Sequence, residues 1–93
     1  MRREDKFIIL GKVLASRRRL SVLMELSKGL RIPSQIAKAT GMSLSEVSRV
    51  LRELREMGLV ECKTPDLVKG RLYQLTNFGR EIVSTLKRIM SDF

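Results

Sequence analysis

The sequence predicts a mainly α-helical fold with a small β-hairpin (α+β), in which five helices and two strands form one domain over residues 1–93. Three observations lead to this prediction: a helix-turn-helix spacing of small residues after Pro33, two alternating segments around a turn-rich stretch, and apolar residues at helical spacing near both termini. Ninety-three residues, 43% of them hydrophobic, support one modest core, which dimerisation would stabilise further.

Two helices are predicted before the helix-turn-helix. Apolar residues at helical spacing from Phe7 onward predict a first helix over residues 5–15. Ser16 is expected to cap a second helix, which ends near Gly29. The first turn of this second helix carries three cations, which either attract a phosphate or form a solvated surface. They are Arg17, Arg18 and Arg19.

The helix-turn-helix is predicted from small residues at successive offsets of four, six and three, namely Ala37, Gly41, Val47 and Val50. Pro33 suits the first turn of the third helix, where an amide hydrogen is not needed. Gly41 supplies the left-handed residue of the turn. Ser43 and Glu46 form a capping box, so the fourth helix is predicted over residues 43–57.

The fourth helix is predicted to separate an apolar side from a polar, cationic side at about 100° per residue. The apolar side consists of Val47, Val50, Leu51 and Leu54. The polar side consists of Ser45, Arg49, Arg52 and Glu56, with Ser48 on its flank. Arginine can donate two hydrogen bonds to guanine or contact a phosphate, and serine can contact bases or backbone. The residues predicted to contact DNA from this helix are therefore Ser43, Ser45, Ser48, Arg49 and Arg52. An ordinary charged surface with Arg–Glu pairs at helical spacing is the alternative.

A β-hairpin is predicted after Gly58, because residues 59–63 and 71–75 alternate like half-buried strands around a turn-rich tip. Its basic residues are expected to reach phosphate or the minor groove, with simple solvation as the alternative. These wing residues are Lys63, Lys69 and Arg71. Leu67 and Val68 at the tip are expected to pack back on the body or to touch a partner. Further contacts to the DNA backbone are expected from Arg17, Arg18, Ser34, Gln35 and Lys38.

Thr76 is predicted to cap a last helix over residues 77–92, whose apolar face is too broad to remain exposed. This helix can pack on the first helix of its own chain, residues 5–15, or both helices can pair with a second subunit. A two-fold dimer is favoured over a monomer. The expected interface residues are Phe7, Leu10, Leu14, Ile82, Leu86, Ile89, Met90 and Phe93.

Composition excludes several classes of protein. The chain has no histidine and one cysteine, so histidine-based catalysis, an internal disulfide and a structural zinc site are not expected. Cys62 is expected to be a small buried hydrophobe, with a redox-sensing thiol as the alternative. No signal peptide or transmembrane stretch is apparent, which predicts a cytoplasmic protein. Nineteen Lys and Arg against ten Asp and Glu give a formal charge of +9, which favours a polyanionic partner.

The chain resembles the winged helix-turn-helix regulators of the ArsR and MarR superfamily over nearly its whole length. The residues that carry the resemblance are Ile36, Ala37, Thr40, Gly41, Val47, Ser48, Arg49, Leu51, Leu54, Gly58, Leu59, Val60, Leu75, Thr76 and Gly79. The resemblance implies a dimer with recognition helices in successive major grooves and wings alongside. Metal-sensing members use paired ligands that this chain lacks, so neither a metal nor another cofactor is expected. With few aromatics in a short chain, no dedicated pocket for a small-molecule effector is expected either.

These observations predict a sequence-preferring regulator of transcription that binds double-stranded DNA as a homodimer, with repression favoured over activation. Two alternatives stay open: a nucleic-acid-binding protein without sequence preference, and a winged-helix module that docks on a protein. The charge of +9 argues against docking. An enzyme is not expected, because the motifs assemble no nucleophile, phosphate loop or pair of metal-binding carboxylates.

Overall fold

The computed structural model describes residues 3–91, in which five helices and one two-stranded antiparallel sheet follow the predicted order. The helices are α1 (Arg3–Leu14), α2 (Arg17–Leu26), α3 (Pro33–Thr40), α4 (Leu44–Glu56) and α5 (Asn77–Ser91), and the strands are β1 (Val60–Cys62) and β2 (Tyr73–Leu75). The predicted fold class is confirmed. The first helix begins two residues before its predicted start, and both strands are shorter than predicted.

Side-chain caps begin three of the helices at the predicted residues. The predicted capping box at Ser43 forms only in part, because the Glu46 carboxylate accepts from the Ser43 hydroxyl rather than from the Ser43 amide. The hydroxyl of Ser16 accepts from the amide of Arg19 at 3.3 Å, and that of Ser43 accepts from the amide of Glu46 at 3.1 Å. Thr76 Oγ1 likewise accepts from the amide of Gly79 at 3.0 Å, at the start of α5. Each cap satisfies an amide that has no partner within its helix, so each fixes where the chain turns into helix.

The turn between α3 and α4 is built on Gly41, which has φ 73° and ψ 11°. This is the left-handed conformation that a glycine adopts without steric cost. The Gly41 amide donates to the carbonyl of Ala37 at 2.9 Å and thereby ends α3. The predicted helix-turn-helix is confirmed at this position.

One hydrophobic core unites all five helices and the sheet. The predicted apolar side of α4 lies in it, with Val47, Val50, Leu51 and Leu54 almost fully buried. Leu10 of α1 and Ile82 and Leu86 of α5 are buried in the same core. These three residues were predicted to form the dimer interface, but the fold of the single chain already covers them. They are core residues because α1 packs against α2 and α5, and α5 packs against α2 and β2.

The hairpin pairs as predicted, and the sheet gains one contact that the sequence did not reveal. Val60 faces Leu75 and Cys62 faces Tyr73 across the antiparallel ladder. Arg31, in the link between α2 and α3, forms an isolated bridge with Tyr73, whose two hydrogen bonds measure 3.1 and 2.9 Å. This bridge ties the start of α3 to the base of the hairpin, so the helix-turn-helix and the wing are held in one orientation.

The terminal helices differ from their predicted ends by small amounts. Phe93, predicted in the dimer interface, lies outside the described residues, as does the predicted end of the last helix at residue 92. A salt bridge of 3.0 Å between Lys6 and Glu81 joins α1 to α5.

Within residues 3–91, no helix has both the length and the hydrophobicity that crossing a membrane requires.

Candidate nucleic-acid interface

The polar side of α4 is open to solvent along its length. Ser45, Ser48, Arg49 and Arg52 are all exposed, opposite the buried apolar side of the same helix. The predicted division of α4 into two sides is therefore confirmed. Whether these side chains contact DNA remains a prediction.

Two of the three acidic residues of α4 form salt bridges with α2 rather than with arginines of α4. Arg18 forms a salt bridge of 2.8 Å with Glu46, and Arg19 forms one of 3.1 Å with Glu53. Arg19 also donates to the carbonyl of Lys12, which links α1 to this pair of salt bridges. The alternative of Arg–Glu pairs along α4 is accordingly not seen. We call these two pairs the α2–α4 clasp.

With Glu46 and Glu53 held in the clasp, Glu56 is the one acidic residue of α4 that lies on its exposed side outside the clasp. Arg49, Arg52 and Arg55 form no ion pair with any side chain in the described part of the chain. The carboxylates of Glu46 and Glu53 would repel a phosphate near α4, but arginines of α2 neutralise both of them. The outer surface of α4 thus has a net positive charge, although the helix carries several carboxylates.

Two predicted contacts to DNA are engaged elsewhere. The hydroxyl of Ser43 caps α4 and also donates to the carboxylate of Glu46 at 3.1 Å, so its only donor hydrogen is used. The guanidinium of Arg18 belongs to the clasp. We therefore expect these residues to position α4 rather than to read bases.

The first helix of the motif presents its polar residues outward. Ser34, Gln35 and Lys38 of α3 are exposed, and so is Arg17 at the start of α2. The side-chain oxygen of Gln35 accepts from the amide of Ile32 at 2.9 Å, so Gln35 takes part in starting α3. The amide nitrogen of Gln35, the hydroxyl of Ser34 and the cations Arg17 and Lys38 stay available for the predicted phosphate contacts.

The three cations of the wing differ in how free their charged groups are to contact DNA. Lys69 is exposed near the tip, beside Val68, and Lys63 lies 3.8 Å from Glu61 in a weak pair. Arg71 donates from Nε to the carbonyl of Leu67 and so closes the loop from inside. Leu67 and Val68 remain in solvent rather than packing back on the body, and 89% of the Val68 side chain is exposed.

A groove of ≈ 570 Å³ separates α4 from the wing, with the start of α3 at its floor. It is lined on the α4 side by Leu44, Ser48, Arg52 and Arg55, and on the wing side by Val68, Lys69, Gly70 and Arg71. Leu44 and Arg55 were not predicted from the sequence as residues of the site. Helical spacing could have identified Arg55, because it follows Arg52 by three residues and Ser48 by seven and so lies on the same side of α4.

Cys62 is partly buried against the core, in β1, as a small hydrophobe would be. Among residues 3–91, no cluster of three acidic or cysteine side chains has the arrangement of a metal site.

The α2–α4 clasp predicts a pH dependence of stability. The hydroxyl of Ser43, together with the Arg18 guanidinium and the Ser43 backbone, holds the pKa of Glu46 below its ordinary value of 4.5, against the opposing effect of desolvation. A carboxylate with a lowered pKa in the folded state stabilises the fold above the unfolded pKa, and this contribution is lost as the pH falls through the folded pKa. Glu46→Gln should therefore be less stable than the wild type above pH 4.5, and the difference should shrink on acidification. Urea unfolding at several pH values measures it.

Glu56→Gln is the matched control, because it removes a carboxylate from α4 that takes part in neither salt bridge of the clasp. Its stability should run parallel to that of the wild type across the same pH range. A Glu46→Gln variant that also runs parallel to the wild type would show that the clasp contributes nothing measurable.

Comparison with known proteins identifies relatives over most of the chain. A sequence profile of the HVO_A0261 N-terminal domain family matches residues 10–93. The HTH-type transcriptional regulator Rv0324 of Mycobacterium tuberculosis is 44% identical over 59 residues, which are 63% of this chain and 26% of that protein. The chain thus spans about a quarter of the length of this curated relative.

Solved structures of two transcriptional regulators share this architecture. The homodimeric winged helix-turn-helix DNA-binding domain Mb0332 from Mycobacterium bovis, described as a possible ArsR-family transcriptional regulator, is 34% identical with a TM-score of 0.69. The match covers 95% of this chain and 80% of that chain. A MarR family transcriptional regulator from Silicibacter pomeroyi is 25% identical with a TM-score of 0.78, over 91% of this chain and 58% of that chain.

Proposed function

Because the chain belongs to the HVO_A0261 N-terminal domain family, we propose that it is a sequence-preferring regulator of transcription that binds double-stranded DNA. The resemblance to the ArsR and MarR superfamily is confirmed by the relatives, which are winged-helix transcriptional regulators. Such regulators are not enzymes, and neither is this chain. In the proposed complex, which forms in the cytoplasm, α4 enters the major groove and the wing lies on the backbone or in the minor groove.

One observation carries the proposal: α4 exposes a line of hydroxyl and guanidinium groups that nothing in the described chain neutralises. Ser45, Arg49 and Arg52 lie along this line, and the opposite side of the helix is locked into the core. A helix fixed in this way can present donors at defined positions to base edges. The charge of +9 adds the attraction to phosphates that holds a protein on DNA.

The homodimer is proposed from the terminal helices. Phe7, Ile8 and Leu14 on α1 and Met90 on α5 are exposed large apolar side chains, and 64% of Phe7 is open to solvent. A second copy of the chain would cover these residues and present a second α4. Leu10 of α1 and Ile82 and Leu86 of α5 lie in the hydrophobic core and hold these two helices against it. Ile89 is partly buried and flanks Met90.

Repression is proposed because it needs no further surface. A dimer seated in two successive major grooves excludes other proteins from the same stretch of DNA. Activation would require an additional contact with a partner protein. The proposal includes no metal, cofactor or small-molecule effector.

The dimer proposal predicts that Phe7→Asp dissociates the protein. Removing an aromatic anchor from an interface costs about 2 kcal/mol or more, and a buried carboxylate adds to that cost. Sedimentation equilibrium should therefore show a dimer for the wild type and a monomer for Phe7→Asp at the same concentration. Val68→Asp is the control, because it charges an exposed apolar residue of the wing instead. Identical dissociation constants for all three proteins would place the interface elsewhere.

Selection of bound duplexes from a random DNA pool tests the proposed function. The expected product is a palindrome with half-sites about one helical turn apart, which a symmetric dimer requires. The selected duplex and a scrambled one are then titrated at two salt concentrations. Strong, salt-sensitive binding of both duplexes alike would indicate a nucleic-acid-binding protein without sequence preference. Absence of binding to either would favour a protein-docking module.

A further inference from the structure

Leu44 differs from every other aliphatic residue of α4. Val47, Val50, Leu51 and Leu54 are at most 2% exposed, whereas 55% of Leu44 is open to solvent. It is the first residue of the helix and directly follows the Ser43 cap. The described chain leaves more than half of Leu44 in contact with water, which is unfavourable for a leucine side chain.

Leu44 lines a groove that also contains the apolar residues Ile32, Pro33 and Val68, and every charged side chain in the lining of this groove is basic. Ser48 and Arg52 follow it at intervals of four residues and line the same groove. Glu46, two residues away, cannot dominate the local charge because its carboxylate is held by Arg18 and Ser43. An apolar side chain in a cationic setting of this kind matches a polyanion with an apolar feature better than it matches the apolar surface of a protein.

The major groove of DNA offers such a feature. Each base pair presents hydrogen-bonding groups there, and thymine alone adds a methyl group at C5. The first residues of a recognition helix are the ones that reach base edges. The donor hydrogen of Ser43 is already used, so Leu44 and Ser45 are the first residues of α4 whose side chains are open to such a contact.

Resting on the proposed function, we propose that Leu44 is a specificity-determining residue that contacts the C5-methyl group of a thymine in each half-site. Arginine and serine distinguish bases by hydrogen bonding, but neither detects a methyl group. Leu44 supplies that discrimination, so that thymine is preferred over cytosine and over uracil at one position. The exposed serines and arginines of α4, from Ser45 to Arg52, then read the hydrogen-bonding pattern of the adjoining base pairs.

The test uses the duplex obtained by selection and the same duplex with deoxyuridine in place of every thymidine. This replacement removes only methyl groups. The wild type should bind the uracil duplex about fourfold more weakly for each contacted methyl, the effect of exposing one methyl-sized group to water. Leu44→Ala should bind the thymine duplex more weakly by a similar factor and should show no further loss with uracil.

Leu30→Ala is the matched control, because Leu30 is also an exposed leucine, 46% open, but lines a different groove. It should retain the full uracil penalty of the wild type. The Leu44→Ala variant is expected to fold, since alanine favours helix at an exposed position. Its circular dichroism spectrum should match that of the wild type.

Two outcomes overturn the proposal in different ways. If Leu44→Ala loses as much affinity as the wild type when uracil replaces thymine, the proposed function stands, but Leu44 does not contact the methyl group. A pool that yields no preferred sequence would overturn the proposed function and the role of Leu44 together.

Discussion

Gly79→Ala should lower the free energy of unfolding by about 2 kcal/mol or more. This is the largest effect that we expect from the addition of one methyl group. A Cβ at this position would lie 2.1 Å from the carbonyl oxygen of Leu59 and 3.3 Å from the Cβ of Leu75. The obstructing atom is backbone, so a steric cost of about 3 kcal/mol or more exceeds the gain of about 1 kcal/mol in helix propensity.

The Leu59 carbonyl cannot easily move away, because it also accepts from the amide of Thr76 at 3.0 Å. Thr76 Oγ1 in turn donates to the carbonyl of Gly58 at 2.6 Å. The close approach at Gly79 thus fixes α5 against the end of α4 and the start of β1. In a domain of this size, Tm should fall by about 10 °C or more.

Gly11→Ala provides the control for this substitution. Gly11 lies inside α1, and a Cβ there would meet no atom within 4 Å. The same change should raise the free energy of unfolding by about 0.5–1 kcal/mol through helix propensity alone. Urea and thermal unfolding of both variants give the comparison. A Gly79→Ala protein as stable as the wild type would show that α5 does not approach Leu59 so closely.

Arg49→Ala should weaken binding to the selected duplex by about 1–3 kcal/mol, roughly a factor of 5 to 150, and relax the preference at one base position. Arg49 is exposed in the middle of α4 and has no ion pair within the described chain, so its guanidinium is free to donate to a base. Titration against the selected duplex and its single-base variants measures both effects.

Lys69→Ala should instead weaken all sequences alike and lower the salt dependence of binding by about one ion, as expected for a phosphate contact. Arg80→Ala removes a charge from α5, where Arg80 hydrogen-bonds to Asn77, and should leave binding nearly unchanged. Equal losses on every duplex for Arg49→Ala and Lys69→Ala would contradict the assignment of base reading to Arg49.

Prediction from the sequence was most successful where local chemistry acts within one helix. Ser16, Ser43 and Thr76 were identified as caps, and Gly41 as the turn, because each forms its decisive hydrogen bond within three or four residues. The division of α4 into two sides also followed from its periodicity. The Arg31–Tyr73 bridge could not be predicted, since a single paired residue leaves no repeating pattern.

The candidate site was predicted only in outline. Periodicity identified which α4 residues face outward, but the clasp joins residues 28 and 34 positions apart, from Arg18 to Glu46 and from Arg19 to Glu53. Such pairs depend on how two helices cross, which neither sequence segment determines alone. For the same reason, Arg18 was predicted among the DNA contacts, and Leu10, Ile82 and Leu86 were predicted among the interface residues.

By itself, the sequence determined the fold class, the helix boundaries to within a few residues, and the charge that favours a polyanionic partner. The tertiary structure decided which of the exposed groups are free. It assigned Arg18 and Arg19 to the clasp, closed the wing loop with Arg71, and left Leu44 uncovered at the start of α4. The physical reason is that periodicity and capping are properties of neighbouring residues, whereas the availability of a side chain depends on every element packed around it.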